Sequence, residues 1–440
     1  MAKSGDPGMP ANPVNLADDR QAADRRMGWM FAGLFLLYMF DYIDREIVSS
    51  LIPFLKADLG ITDTQAGSLA SAVYWAIIVL AFPASILVDR WSRKRSVGIM
   101  VMLWSLFTGA AAFVKTFPQL FTVRLGVGVG ESGYSPGGTA MISAMYPVQK
   151  RSRMMGLWNV SIPLGSAIGV GLGGVIAKAW SWKHAFGLVA IPGFIIGLLF
   201  FFMGRDYRTV KLEKSATATQ AARKMKVGDL VGELGRKPSL ILTYIGFAGN
   251  TFLTSAFLTW LPSYFNRIRG VAADKAGLLA SVVMISSAVG VFVTGYLVDA
   301  WRKRLDIARP LYAGLTSLLS AAIWFVALAW LTGTAQLVAM FVAAISTLLY
   351  LPAAAAVTQD VVHPGLWAVS YSICVVVQNL LGSSTGPLVV GAISDKWGLN
   401  TAMMSVPAAS VFAGVLFLLA TVFYRRDLAK VDKVAVEMEE

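Results

Sequence analysis

The chain has 440 residues, 56% of them hydrophobic and only 14% charged, with a formal net charge of +13. A soluble domain carries about 25% charged residues, so this composition excludes an ordinary soluble enzyme and indicates a polytopic membrane protein. A single cysteine, Cys374, excludes an internal disulfide, and two distant histidines, His184 and His363, leave no His/Cys metal cluster, so neither a metal nor a bound cofactor is expected.

Residues 1–27 are polar and lack the apolar core of a cleavable signal peptide, so they are expected to form a cytosolic tail. Apolar runs of about 20 residues then place twelve helices near 28–54, 65–88, 97–115, 117–146, 152–177, 184–204, 238–266, 275–298, 308–331, 335–358, 366–393 and 401–424. The polar segment 205–237 divides them six and six, and 425–440 forms a second tail. Val227, Leu230, Val231 and Leu234 in that linker are spaced for a short amphipathic helix on the inner surface, with a flexible loop as the alternative. With the N-terminus inside, 28 of the 38 Lys and Arg fall on cytosolic segments, 8 on outer loops and 2 in the membrane. This asymmetry sets orientation, so the basic excess is assigned to contact with anionic lipids at the cytosolic face, not to nucleic acid. Both termini are expected in the cytosol.

Helix 1 carries Asp41, Asp44, Arg45 and Glu46 in the middle of its span. Each charge at bilayer depth costs roughly 2.5 to 3.5 kcal/mol on insertion scales, so four within six residues require partners, water or a task. They are expected to line a water-filled pathway.

After helix 2 comes "SILVDRWSRKR" (85–95), which repeats as "TGYLVDAWRKR" (294–304) at a shift of 210. Asp89 ends a helix beside Arg90 and Arg93, and Asp299 takes the same place in the second half. These groups are expected to close the cytosolic side by ion pairs or helix-end contacts. A second repeat relates 163–180 to 380–397 at a shift of 217, pairing Gly165 with Gly382, Gly169 with Gly386 and Gly174 with Gly391. Glycines every four residues are expected to let helices pack closely.

Helix 4 contains "GVGESG" (128–133). It satisfies the dinucleotide fingerprint but lies inside an apolar helix without the strand that the fingerprint needs, so its glycines are read as packing or bending. The same helix holds Arg124 and Glu131, seven residues apart on one face. From helix starts at 28 and 118, Asp41 and Arg124 sit at similar depth, with Asp44 the alternative partner, and Glu131 is expected deeper, with no basic neighbour at its level.

The second half places Thr251, Thr254 and Ser255 where the first has Asp41, Asp44 and Arg45. Ion coupling is therefore assigned to the first half, through Asp41, Asp44 and Glu131. Asn250, Thr254, Gln378 and Asn379 are expected to offer neutral hydrogen bonds to a substrate, or else to bond helix to helix. Phe247, Phe252, Phe257, Trp260 and Tyr264 would suit an apolar tail, though core packing explains them more simply.

Duplicated six-helix halves around a central site are the architecture of the major facilitator fold, an all-α bundle pair related by pseudo-symmetry. Within it, "DYIDR", "VRLGVGVGESGYSPGG", "RSRMMGLWNVSIPLGSAIG" and "WKHAF" resemble bacterial members of the Spinster family, with Arg124, Glu131 and Tyr134 the most specific part. The resemblance implies proton-linked movement of lysolipids or sphingoid lipids such as sphingosine phosphate. Asp41 or Asp44, Arg45, Arg124 and Glu131 match the family's functional charges. Arg45, Arg124 and Tyr134 are accordingly expected at the substrate.

The expected protein is thus a monomeric, proton-gradient-driven transporter of the bacterial inner membrane, working by alternating access. Small organic anions such as sugar acids are the alternative cargo. A membrane-embedded enzyme fits poorly, because neither histidine begins a His-x4-Asp motif and no nucleophile elbow is evident.

Overall fold

A computed structural model describes residues 13–90, 92–146, 148–203, 234–363 and 366–431. The side chains of residues 13–26 and of Asp89, Arg90 and Asp299 lie outside the described residues, as does most of the linker with its proposed amphipathic helix. The first half comprises α1 (Pro13–Leu59), α2 (Asp63–Arg90), α3 (Arg93–Ala110), α4 (Phe117–Glu131), α5 (Tyr134–Met145), α6 (Val148–Asn159), α7 (Ser161–Ala179) and α8 (Trp182–Met203). The second comprises α9 (Pro238–Arg267), α10 (Ala273–Arg302), α11 (Ala308–Ala329), α12 (Gly333–Thr347), α13 (Leu351–Asp360), α14 (Trp367–Gln378), α15 (Gly386–Trp397), α16 (Leu399–Ser405) and α17 (Pro407–Ala429). A π-helical turn, Asn379–Ser383, joins α14 to α15.

These helices follow the expected spans, several of which are broken into two pieces. Helix 4 divides at Ser132 and Gly133, where the glycine-rich stretch turns between α4 and α5. Helix 1 begins at Pro13, ahead of the expected start near 28. Among the described residues, ten segments are long and apolar enough to cross a membrane. The two expected spans missing from that count are α1 and the α4–α5 pair, the ones that carry the intramembrane charges.

Close approach of backbones builds the packing. Along α7, a methyl group at Gly169 would stand 2.5 Å from the Ile43 carbonyl oxygen of α1. Gly382 and Gly386 do the same beside α9, where a methyl would lie 2.7 Å from the Ala248 and Phe252 carbonyls. In α4 a methyl at Gly128 would meet Ala76 at 2.8 Å and one at Gly130 would meet the Trp104 amide nitrogen at 2.6 Å. Glycine in this segment therefore seats α4 against α2 and α3, as expected.

The halves meet along two seams related by the sequence repeat. Gly67 of α2 faces the Pro387 carbonyl of α15, and Gly277 of α10 faces the Val170 carbonyl of α7. Gly391 faces the Asp63 carbonyl, and Gly174 faces that of Ala273. Each pair of contacts is related by the shifts of 210 and 217 that relate the sequences. Gly60 and Gly270, at φ +63° and +67°, turn the chain at equivalent places before the seam helices α2 and α10.

Among the described residues, the polar contacts joining the halves gather on the distal side, away from the linker. Asp63 accepts two hydrogen bonds from Arg267, at 2.9 and 2.8 Å, and one from Ser394 at 2.5 Å, and it pairs with Lys56 of its own half. Asp395, at the end of α15, accepts from the Asp63 and Thr64 backbone amides at 2.8 Å each. A carboxylate there satisfies the free N–H groups at the start of α2 and complements its dipole. Among the described residues, the other seam carries the pair Lys178 and Asp274, 3.0 Å apart, with the lysine largely exposed.

Because Lys56, Arg267 and Ser394 all donate to Asp63, Asp63→Asn is expected to release this side. The population with separated distal ends should rise about tenfold or more, at least ~1.4 kcal/mol. Distance distributions between spin labels at the exposed Lys115 and Thr334 check this, and an unchanged distribution would remove the cluster from the closure.

Candidate functional site

The intramembrane charges of α1 and α4 face one another inside the first half. Arg45 donates from one guanidinium nitrogen to both Asp41 at 2.9 Å and Glu131 at 2.7 Å. Asp41 and Arg45 meet because they lie one helical turn apart, and Glu131 arrives as the last residue of α4. The remaining oxygens, Asp41 Oδ1 and Glu131 Oε1, are buried without a hydrogen-bond partner among the described residues, as is Arg45 Nε. Two carboxylates thus share one cation.

The Arg45 side chain keeps 11% of its surface exposed, whereas Asp41, Asp44, Arg124 and Glu131 are all 3% exposed or less. Its guanidinium lies over the rings of Tyr42, at 4.8 Å, and Tyr74, at 5.3 Å, and both tyrosines are half-buried. Arg45 is the cation of the group that an anion could reach.

Arg124 follows the alternative pairing. Its ionic partner is Asp44, 3.7 Å away, and not Asp41. The guanidinium also donates to the backbone carbonyls of Asp44 at 3.1 Å, Arg45 at 3.0 Å and Leu69 at 3.4 Å. Arg124 therefore ties α4 to α1 and α2 through all its nitrogens and is 1% exposed. Asp44 is further held by the Thr108 hydroxyl of α3. Glu131, expected to lack a basic neighbour, has Arg45.

Tyr134 is likewise committed to packing. Its hydroxyl donates to the Leu34 carbonyl at 2.5 Å, beside Trp158 Nε1 at 3.2 Å, and it is 1% exposed. In the second half, Asn250 donates to Ser317 at 2.8 Å and accepts from Ser410 at 2.5 Å. That triad bonds α9 to α11 and α17, so Asn250 follows the helix-to-helix alternative. Thr254 returns its hydroxyl to the Asn250 carbonyl at 3.0 Å, and Gln378 accepts from Thr251 at 3.3 Å. Asn379 accepts from Ser383 at 3.0 Å within the π-helical turn. Thr254, Gln378 and Asn379 remain half-buried.

Of the aromatic residues read as a possible apolar lining, Phe252 is half-buried and the other four belong to the core. Phe257 stacks on Trp324 at 3.9 Å between ring centroids, and Trp260 donates to the Pro387 carbonyl at 2.9 Å. Phe247, Phe257, Trp260 and Tyr264 are all buried, which supports the simpler packing explanation.

Of the expected linker-side gate, only the Arg93 side chain lies within the described residues, at the start of α3, where Ser92 caps the helix by accepting from the Arg95 amide at 3.1 Å. Tyr42, Tyr74 and the distal ion cluster escaped the sequence reading. Tyr42 lies three residues before Arg45, a spacing that could have found it. Asp395 pairs with Lys178 in the repeat, an exchange of charge sign that could have flagged the seam.

The Major Facilitator Superfamily model matches residues 34–387. The chain is 29% identical over 391 residues to a hexuronate transporter of Bacillus subtilis (strain 168), covering 87% of this chain and 92% of that one. It is 27% identical over 433 residues to protein spinster homolog 1 of Xenopus laevis, covering 91% and 81%. A bacterial homolog of the human lysosomal transporter Spinster, crystallised in an inward-facing and unoccupied conformation, superposes with a TM-score of 0.82 at 20% identity, covering 91% of this chain and 98% of that one. The helical architecture, the two repeat-related seams and the span of the family match agree: the chain is a membrane transporter belonging to the Major Facilitator Superfamily.

Proposed function

We propose that the protein is a proton-coupled transporter of organic anions in which Arg45 receives the anionic group while Asp41 and Glu131 carry the proton. The sharing of one Arg45 nitrogen by two buried carboxylates supports this reading most directly. With both carboxylates ionised, the trio has one negative charge in excess, in a setting where unpaired charge is costly. An arriving anion competes with the carboxylates for the same guanidinium. A carboxylate that loses its cation favours its protonated form, because burial and lack of a partner both disfavour the charge. Anion binding and proton binding then promote each other, and linkage makes the effect reciprocal.

Two cargo classes fit the head group. A small polyhydroxylated acid matches the neutral hydrogen-bonding side chains Thr254, Gln378 and Asn379 in the second half, and it matches the similarity to a hexuronate transporter. An amphiphilic lipid anion, of the lysolipid or sphingoid-phosphate kind, is favoured by the similarity to spinster homologues. With the second-half aromatics engaged in core packing, we place the small organic anion first. Asp89, Arg90, Arg93 and Asp299 remain our assignment for the linker-side gate, with both termini cytosolic in a bacterial inner membrane.

Binding measured on purified protein with D-glucuronate and with a lysophospholipid, each competed against the other, decides the cargo class. D-glucuronate binding that the lipid does not displace is the expected result, and lipid binding alone would reverse the order. For the ligand that binds, affinity should rise as pH falls, by up to tenfold per pH unit for one linked proton. Glu131→Gln should flatten that dependence and abolish uptake driven by a pH gradient in proteoliposomes, while exchange across equal pH persists. Arg45→Lys should weaken binding about tenfold or more, because a lysine cannot hold a carboxylate or phosphate by two parallel hydrogen bonds. Full gradient-driven uptake by Glu131→Gln would exclude Glu131 from coupling.

A further inference from the structure

One carboxyl of the buried group has no place in the scheme above. Glu46, directly after Arg45, is 5% exposed, and among the described residues no hydrogen bond or ion pair reaches it. Its ionisable neighbours are Tyr42 and Arg45 on its own helix, Tyr74 on α2 and Arg124 on α4. The helices α7, α8, α9 and α10, which also pack along α1, carry no ionisable group over 161–177, 185–202, 245–263 and 276–291.

Both cations near Glu46 are already committed. Arg45 serves Asp41 and Glu131, and Arg124 serves Asp44 together with three backbone carbonyls. Asp41, Asp44, Glu46 and Glu131 together present four carboxyl groups to two guanidinium groups. If all were ionised, two negative charges would be uncompensated inside the first half. Proton sharing between Asp41 and Glu131 removes one of them, and the other falls on the carboxyl that lacks a partner.

We propose that Glu46 is a further proton-carrying residue of the transporter, holding its own proton in this conformation separately from the one shared by Asp41 and Glu131. The inference rests on the coupling assigned above. It adds that the neutral cluster holds two protons and that Glu46 is a binding group for one of them. Rearrangement of the seams would give the Glu46 carboxyl access to water, where the ionised form is hydrated and the proton can leave.

The test does not depend on the cargo. Infrared spectra of the purified protein in lipid nanodiscs at neutral pH report protonated carboxyl groups through their C=O stretch, which shifts in heavy water. Glu46→Gln, a neutral isostere, is expected to remove about one group's worth of this band. Glu131→Gln should remove or displace a separate component. Glu46→Ala, kept only if it elutes as a single species, should remove the same component as Glu46→Gln. An unaltered band in both Glu46 variants would show that Glu46 is ionised and overturn the proposal. Failure of the coupling reading would look different: the Glu46 component would be present, but gradient-driven uptake of D-glucuronate or lysophospholipid would be absent in the parent protein.

Discussion

One guanidinium nitrogen serving two buried carboxylates is the constraint around which the first half is organised. Arg45 cannot neutralise both Asp41 and Glu131, and among the described residues neither carboxylate has a second partner for its other oxygen. A packed apolar contact would join α1 to α4 at lower cost. Retaining an under-compensated charge group makes sense where its protonation changes during a cycle.

The surroundings of this trio are rigid where it must be held and accessible where it could meet a ligand. Arg124 pins two successive α1 carbonyls and one of α2, and Tyr134 and Trp158 converge on the Leu34 carbonyl two turns before the charges. Glycines at 126, 128 and 130 let α4 approach closely enough for this to happen. The Arg45 face, between Tyr42 and Tyr74, is left partly open. An aromatic edge there stabilises the cation without cancelling its charge.

The two seams use the same glycine contacts but different charges. The α2–α15 seam is fastened by Asp63, Arg267, Ser394 and Asp395, and the α7–α10 seam has one largely exposed ion pair. An exposed pair contributes about 0 to 1 kcal/mol, whereas removing one member of a buried set costs several. Duplication thus supplied matched surfaces, and later divergence of side chains made one seam firmer than the other.

The sequence by itself determined the helical spans, the duplication, the packing role of the glycines and the concentration of mid-membrane charge in the first half. These are properties of period, length and composition, and they survive errors of a few residues. Pairing did not. Helix starts uncertain by three residues move a side chain by about 5 Å along the axis, as much as separates Asp41 from Asp44 as partner for Arg124. Whether a polar residue serves a ligand or a neighbouring helix is equally invisible in one dimension, since Asn250 and Tyr134 carry the same groups in either role. Only the tertiary structure decided these questions, because hydrogen bonds and ion pairs act over about 3 Å, and which groups come that close depends on how the helices pack, not on their order in the chain.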